Sequence, residues 1–271
     1  MYVQHATHPA EMAGLTTAAL RERFVVPDLF TPGEIRLSMT HHDRLVIGGA
    51  VPAGGSLTLP TPDPLRAGYF CERRELAVIC LDGSGTVTVD DTGYELVAGD
   101  VLYVGMGSRD VRLAGTAAYY LVSAPAHRPD PTRLARRDEV EALHLGTQAE
   151  SNVRTIRKYV HAGGVASNQL VVGITTLAEG SVWNTMPCHV HDRRTEIYLY
   201  FGLGEDDRVV HLCGEPDNTR SLIMADRQAV VSPPWSVHSG AGTRAYSFVW
   251  AMAGENVDYS DVEVVPTRDL R

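Results

Sequence analysis

The chain has 271 residues, 44% hydrophobic and 21% charged, a balance that supports a packed core and excludes a disordered chain. Its formal net charge of −9 argues against nucleic acid or an anionic membrane surface as the main partner. No apolar run is long enough to span a bilayer, the opening residues carry no basic or apolar signal region, and the four cysteines lack C-x-x-C spacing, so a cytoplasmic protein with reduced thiols is expected.

In chain order, the first predicted element is a helix over 10–24, the one stretch with persuasive helical character. Strand signals then dominate. Short runs rich in Val, Ile, Leu and Tyr at 45–47, 76–81, 85–89 and 101–104 alternate with Gly, Asp and Pro clusters, the pattern of a sandwich or barrel. Asp90-Asp91-Thr92-Gly93 reads as a hairpin turn between Val89 and Tyr94. The polar, Pro-rich segment 127–131 reads as a connector, and a second short helix is expected within 131–143.

The chain also repeats itself. Cys71-Glu72-Arg73-Arg74 is echoed by His191-Asp192-Arg193-Arg194, each before an apolar strand, and the stretch 116–126 is echoed by 243–253. The offset drifts from about 120 to about 127, which indicates one duplicated domain with a loop insertion. Two related barrels are expected, 1–126 and 127–271, in an all-β fold with a short N-terminal helix.

The second half carries a candidate metal site. His189 and His191 stand two apart on a predicted strand and so share a face. Glu196 opens the next apolar run, and His238 follows Pro233 and Pro234. Three imidazoles and a carboxylate suit zinc, iron, manganese or nickel. The first half lacks this set: His189, His191 and Glu196 fall opposite Tyr69, Cys71 and Leu76, and His238 falls near Asp110. One barrel is therefore expected to bind metal and the other to serve folding or assembly.

These residues resemble a bicupin. Gly180…His189-Val190-His191-x(4)-Glu196…Gly204 matches the first cupin motif, Pro233…His238 the second, and Gly83-Ser84-Gly85 with Gly99-Asp100 the glycine framework of a cupin half without ligands. More narrowly, Thr40-His41-His42-Asp43-Arg44, Glu72-Arg73-Arg74-Glu75-Leu76, Leu102-Tyr103-Val104-Gly105, Trp183-Asn184-Thr185-Met186-Pro187-Cys188-His189, Ser236-Val237-His238-Ser239-Gly240 and the ending Arg268-Asp269-Leu270-Arg271 are similar to the 5-keto-4-deoxyuronate isomerase family. The resemblance implies two tandem double-stranded β-helix (jelly-roll) barrels, one Zn2+ per subunit on His189, His191, Glu196 and His238, and a homohexamer. It also implies a small uronate as partner, 5-dehydro-4-deoxy-D-glucuronate, converted to 3-deoxy-D-glycero-2,5-hexodiulosonate in pectin breakdown.

Such a reaction moves a carbonyl to the neighbouring carbon, by proton transfer through an enediolate or by hydride shift, and a Lewis acid assists either path. Candidates for proton transfer are Tyr198 and Tyr200, which share parity with Glu196, together with His211, Glu75 and Lys158. Candidates for the substrate carboxylate are Arg193, Arg194, Arg154 and Lys158, because cationic donors match its geometry. Each has a bland counterpart. His211 and the two tyrosines equally fit core positions, Arg193-Arg194 equally fits a turn with a fold role, and His5, His8, His127, His144 and His161 read as surface or loop residues. Two other functions fit the same ligand set: a metal-dependent cupin dioxygenase and a non-catalytic sugar-acid-binding cupin.

Overall fold

A computed structural model of the chain describes residues 1–254 and 260–271. Strands dominate, as the short apolar runs predict, and the chain forms two compact units. The first comprises Met1–Gln4, Asp28–Glu141 and Lys158–Val172; the second comprises His5–Pro27, Ala142–Arg157 and Gly173–Arg271. The division differs from the single cut expected at 126/127, because each unit recruits segments from elsewhere in the chain. The expected connector is one reason. The amides of His127 and Arg128 donate to the side-chain oxygen of Asn168 at 2.9 and 3.0 Å, and the Asn168 amide donates to the Arg128 carbonyl and the Asp130 carboxylate. Residues 127–131 are thereby tied into the first unit.

Among the described residues there are two seven-stranded sheets, two four-stranded sheets and one two-stranded ladder. In the first unit, Arg74–Asp82 lies between Ala118–Pro125 and Val101–Val104, antiparallel to both. In the second, Thr195–Phe201 lies between Ser247–Ala253 and Ala229–Ser232 in the same way. Strands aligned by the sequence repeat thus occupy matching sheet positions. The four-stranded sheets match too: Ser84–Val89 pairs with Thr92–Val97 and Val111–Ala114, as Val209–Glu215 pairs with Asn218–Met224 and Ser239–Gly242. Arg74–Asp82 is buried on both faces, which explains its continuous rather than alternating apolar run. Leu76, Val78 and Cys80 pack there with Val87, Leu102, Val104 and Leu121. Each fully buried aliphatic side chain contributes roughly 1.5–3 kcal/mol.

Local structure sharpens the sequence signals in two places. The hairpin turn is tighter than the four residues expected, because Val89 already pairs with Thr92 and only Asp90 and Asp91 lie between. The Asp90 carboxylate accepts the amides of Arg109 and Asp110 at 2.8 and 3.0 Å, so its turn is braced from a neighbouring loop. The helical stretch 10–24 divides into a 3-10 helix, Pro9–Gly14, and an α-helix, Thr17–Phe24, because the Thr16 hydroxyl caps the latter by accepting the Ala19 amide. Both pieces pack in the second unit: Arg220 donates to the Met12 and Leu15 carbonyls, Arg21 donates to the Ile223 carbonyl, and the Phe24 ring meets Trp235 edge-on. Val25–Val26 then pairs with Ala229–Ser232.

The second helix expected within 131–143 is absent. Arg133–Ala135 instead pairs antiparallel with Val101–Val104, and Leu134 packs on the first unit's core. A strand edge that offers both ladder bonds and apolar burial outweighs the weak local preference of so short a segment.

Candidate metal centre

Four side chains converge in the second unit. His189 and His191 come from the strand His189–His191, which pairs antiparallel with Val262–Val264. Glu196 is the second residue of Thr195–Phe201, after the bend that begins at Asp192. His238 immediately precedes Ser239–Gly242. Period-two geometry brings the first two imidazoles to one side, as their spacing predicts.

The contacts are close. The Nε2 atoms of His189 and His191 are 3.1 Å apart, and those of His238 and His189 are 3.0 Å apart. Oε2 of Glu196 stands 3.0 Å from His191 Nε2 and 2.8 Å from His238 Nε2. All four ligand atoms lie within 4.8 Å of one another. Ligands around a tetrahedral zinc ion stand about 3.3–3.6 Å apart. Facing ring nitrogens repel through their lone pairs unless a proton or cation lies between them, and three such nitrogens beside one carboxylate are a donor set for a cation. The residues fit a metal ion.

Electrostatics agree with that fit. Burial pushes His189 down to about 3, and the neighbouring His238 adds to the effect. Burial opposes ionisation of Glu196, but His238 and His191 beside it more than reverse this and hold its carboxyl below the ordinary range. A neutral imidazole and an ionised carboxylate are the forms that ligate metal.

Beneath the ligands lies a carboxylate that sequence reasoning missed. Oδ2 of Asp261 stands 3.5 Å from His191 Nδ1. Asp261 accepts two hydrogen bonds from Arg194, one from Nε at 2.8 Å and one from a terminal guanidinium nitrogen, and lies 3.5 Å from Arg193. Burial raises the Asp261 carboxyl, yet the Arg194 guanidinium outweighs it and keeps the group below the usual carboxylate range. Asp261 follows Arg194 by 67 residues and belongs to no recognisable motif, so only the pairing of Val262–Val264 with the histidine strand reveals it.

Tyr198 and Tyr200, two and four residues after Glu196, turn to the same side of their strand and their rings meet edge-on. The Tyr198 ring meets His238 edge-on at 5.5 Å, and its hydroxyl shares a hydrogen bond of 3.0 Å with Thr185. The Tyr200 hydroxyl lies 2.9 Å from His211 Nδ1, while His211 Nε2 is buried with no hydrogen-bond partner among the described residues. Burial raises Tyr198 and Tyr200 well above the ordinary phenol range and lowers His211 to about 3. Tyr246 donates to the Asn184 side chain beside this group.

Glu75 is in the first unit, where its carboxylate accepts the Tyr103 hydroxyl and the amides of Asn168, Gln169 and Leu170, each at 2.7 Å. Lys158 belongs to the first unit and Arg154 to the second, where Arg154 donates to the Asn152 carbonyl. Arg194 is fully buried and engaged by Asp261, whereas Arg193 keeps 30% of its side chain exposed. Of the first-half counterparts, Cys71 and Leu76 sit in the apolar core.

Comparison with known proteins agrees with this geometry. Residues 36–267 match the KduI/IolB family. A protein of Kineococcus radiotolerans named 4-deoxy-L-threo-5-hexosulose-uronate ketol-isomerase is 51% identical, with 100% of both chains covered. One of Shouchella clausii with the same name is 49% identical, also over 100% of both. An IolB-like protein of Salmonella typhimurium superposes with a TM-score of 0.71 at 16% identity, covering 89% of this chain and 96% of that one. An oxalate decarboxylase superposes at 0.60 with 12% identity over 89% and 79%. These two show the cupin-like fold alone. The matched span, the full-length identities and the convergent site together make this chain a member of the KduI/IolB family and an intramolecular oxidoreductase, a ketol-isomerase.

Proposed function

We propose that His189, His191, Glu196 and His238 hold one Zn2+ ion and that the enzyme converts 5-dehydro-4-deoxy-D-glucuronate to 3-deoxy-D-glycero-2,5-hexodiulosonate in pectin breakdown. The convergence of three imidazole nitrogens and one carboxylate carries the metal reading, and the shared name of the full-length relatives supports the substrate class. Bound zinc supplies electrophilic polarisation of the substrate's carbonyl and hydroxyl oxygens.

This chain's own residues bind and orient the substrate. Glu196 is engaged by His191 and His238 and does not act as the base. Tyr198 and Tyr200 stay protonated because burial raises both. A protonated Tyr200 donates to His211 Nδ1, which leaves the ring proton of neutral His211 on Nε2. That buried N–H, without a partner of its own, serves as a donor to a substrate oxygen. The Tyr198 hydroxyl is a second donor, aligned by Thr185. Arg193, beside the ligand strand, binds the substrate carboxylate, whereas Arg194 is committed to Asp261.

The enzyme is further proposed to act in the cytoplasm as a homohexamer; its free, buried cysteines suit a reducing compartment. The decisive experiment supplies the uronate to purified protein with and without a chelator and identifies the product by NMR. Metal-dependent formation of the hexodiulosonate is expected. Turnover untouched by complete metal removal sinks the zinc reading, and oxygen uptake on a redox-active metal replaces isomerisation with dioxygenation.

A further inference from the structure

The ligand set leaves one ring nitrogen of the centre unexplained. His191 is 2% exposed, and its Nδ1 has no hydrogen bond within normal limits, yet the Asp261 carboxylate stands 3.5 Å away. Asp261 is in turn gripped by a fully buried guanidinium, Arg194, at the bend between the ligand strands. The duplicated first unit shows what this arginine needs when no metal site is present. There its counterpart Arg74, 6% exposed, donates from Nε to the Ser123 hydroxyl at 3.0 Å and from a terminal nitrogen to the Arg44 and Ser123 carbonyls at 2.7 and 2.8 Å. Neutral oxygens suffice to bury the arginine. In the unit that also holds the histidines a carboxylate engages the counterpart arginine, and it faces one of them.

We propose that Asp261 is a positioning residue for the metal centre: it takes the Nδ1–H of His191, so that the Nε2 lone pair faces the ion, and Arg194 holds the carboxylate in place. A small rotation of the imidazole closes the 3.5 Å gap to hydrogen-bond length. A carboxylate on the far nitrogen fixes the tautomer and makes the ligating nitrogen more basic. The pairing of Val262–Val264 with His189–His191 ties the same arrangement to the backbone, so the C-terminal segment supports the ligand strand twice.

The inference rests on the four residues holding a metal, and its test separates the two claims. Zinc affinity of the full-length protein is measured by competition with a chromophoric chelator for the wild type, Asp261→Asn and Asp261→Ala. Zinc-loaded samples are also examined by 1H–15N NMR for the His191 ring N–H. Asp261→Ala should weaken zinc binding about 10–100-fold, and Asp261→Asn by an intermediate factor, because the amide still accepts from Arg194 but lacks the charge. The slowly exchanging His191 Nδ1–H resonance should be present in the wild type and lost in Asp261→Ala. If Asp261→Ala does not fold, Asp261→Asn decides the matter on affinity and on a shifted ring resonance. A wild type that takes up no zinc overturns the metal reading and this inference with it. A wild type that binds zinc, with folded variants within twofold of its affinity and an unchanged ring resonance, overturns the inference alone.

Discussion

At the scale of the residue, each side chain around the centre has a task set by its partners. A direct ligand matters more than any residue behind it, so His191→Ala should lower zinc affinity by more than about 100-fold, beyond the range typical of outer partners. Metal content after gel filtration checks this. His211 carries a pH signature. Its folded pKa is lowered to about 3 by burial, against the ordinary 6.5, so between these values the unfolded chain binds a proton that the native chain refuses. The stability this group contributes is present above pH 6.5 and is lost as pH falls toward 3. Metal-free protein should therefore lose up to about 1.4 kcal/mol per pH unit from His211 in that window. Urea denaturation of wild type and His211→Asn at several pH values tests it; equal slopes refute a buried neutral imidazole. Separately, Arg193→Ala should raise KM for the uronate at least about tenfold with a smaller change in kcat, since it removes a contact made equally in ground and transition states.

At the scale of the element, the bend from Asp192 to Arg194 matters most, because it sets Glu196 against the two histidines. Gly254, at the end of Ser247–Ala253, makes that bend possible. Its φ of +147° belongs to glycine, and a Cβ there would overlap the Arg193 carbonyl oxygen. In the first unit the equivalent bend is closed by the Ala126 amide, which donates to the Arg73 carbonyl at 3.0 Å, and the adjacent Glu75 carboxylate accepts the successive amides of Asn168, Gln169 and Leu170. Glu75→Ala takes this acceptor from the buried Leu170 amide and from the part-buried Asn168 and Gln169 amides, and should cost about 1–3 kcal/mol in urea unfolding. Amide exchange at 168–170 should accelerate in the same variant. Unchanged protection there would show that another group anchors the loop. Sequence patterning located most strands around these features because buried strands need apolar side chains. It failed for Arg133–Ala135, where the deciding partner, Val101–Val104, lies elsewhere in the chain.

At the scale of the whole molecule, the units do not follow the duplicated halves of the sequence. His5–Pro27 joins the second unit and Lys158–Val172 joins the first. A fragment of residues 127–271 lacks the Val25–Val26 strand and the helix carbonyls that Arg220 binds, while 1–126 lacks the amides that occupy Glu75. Neither fragment should give a cooperative thermal transition alone, as circular dichroism of the separately purified pieces would show. A metal bound as proposed would also act globally, since it would bind only the folded centre. Zinc at 100 times its dissociation constant should raise stability by about 2.7 kcal/mol. A chelator should remove that increment together with isomerase activity, and added zinc should restore both.

The sequence by itself determined the all-β class, the duplication and the half in which His189, His191, Glu196 and His238 form a group able to hold a metal ion. Those features rest on local spacing: period-two strands, a short bend and residue types that ligate metal. Tertiary structure decided which groups stand behind them. Arg194 looked like a candidate for substrate and is instead buried against Asp261, while Glu75 looked like a candidate base and instead binds backbone amides. The division into units and the pairing of Val262–Val264 with His189–His191 belong to the same level. Such assignments depend on which distant segments pair, and a hydrogen bond between residues 67 apart leaves no period or motif in the chain that makes it.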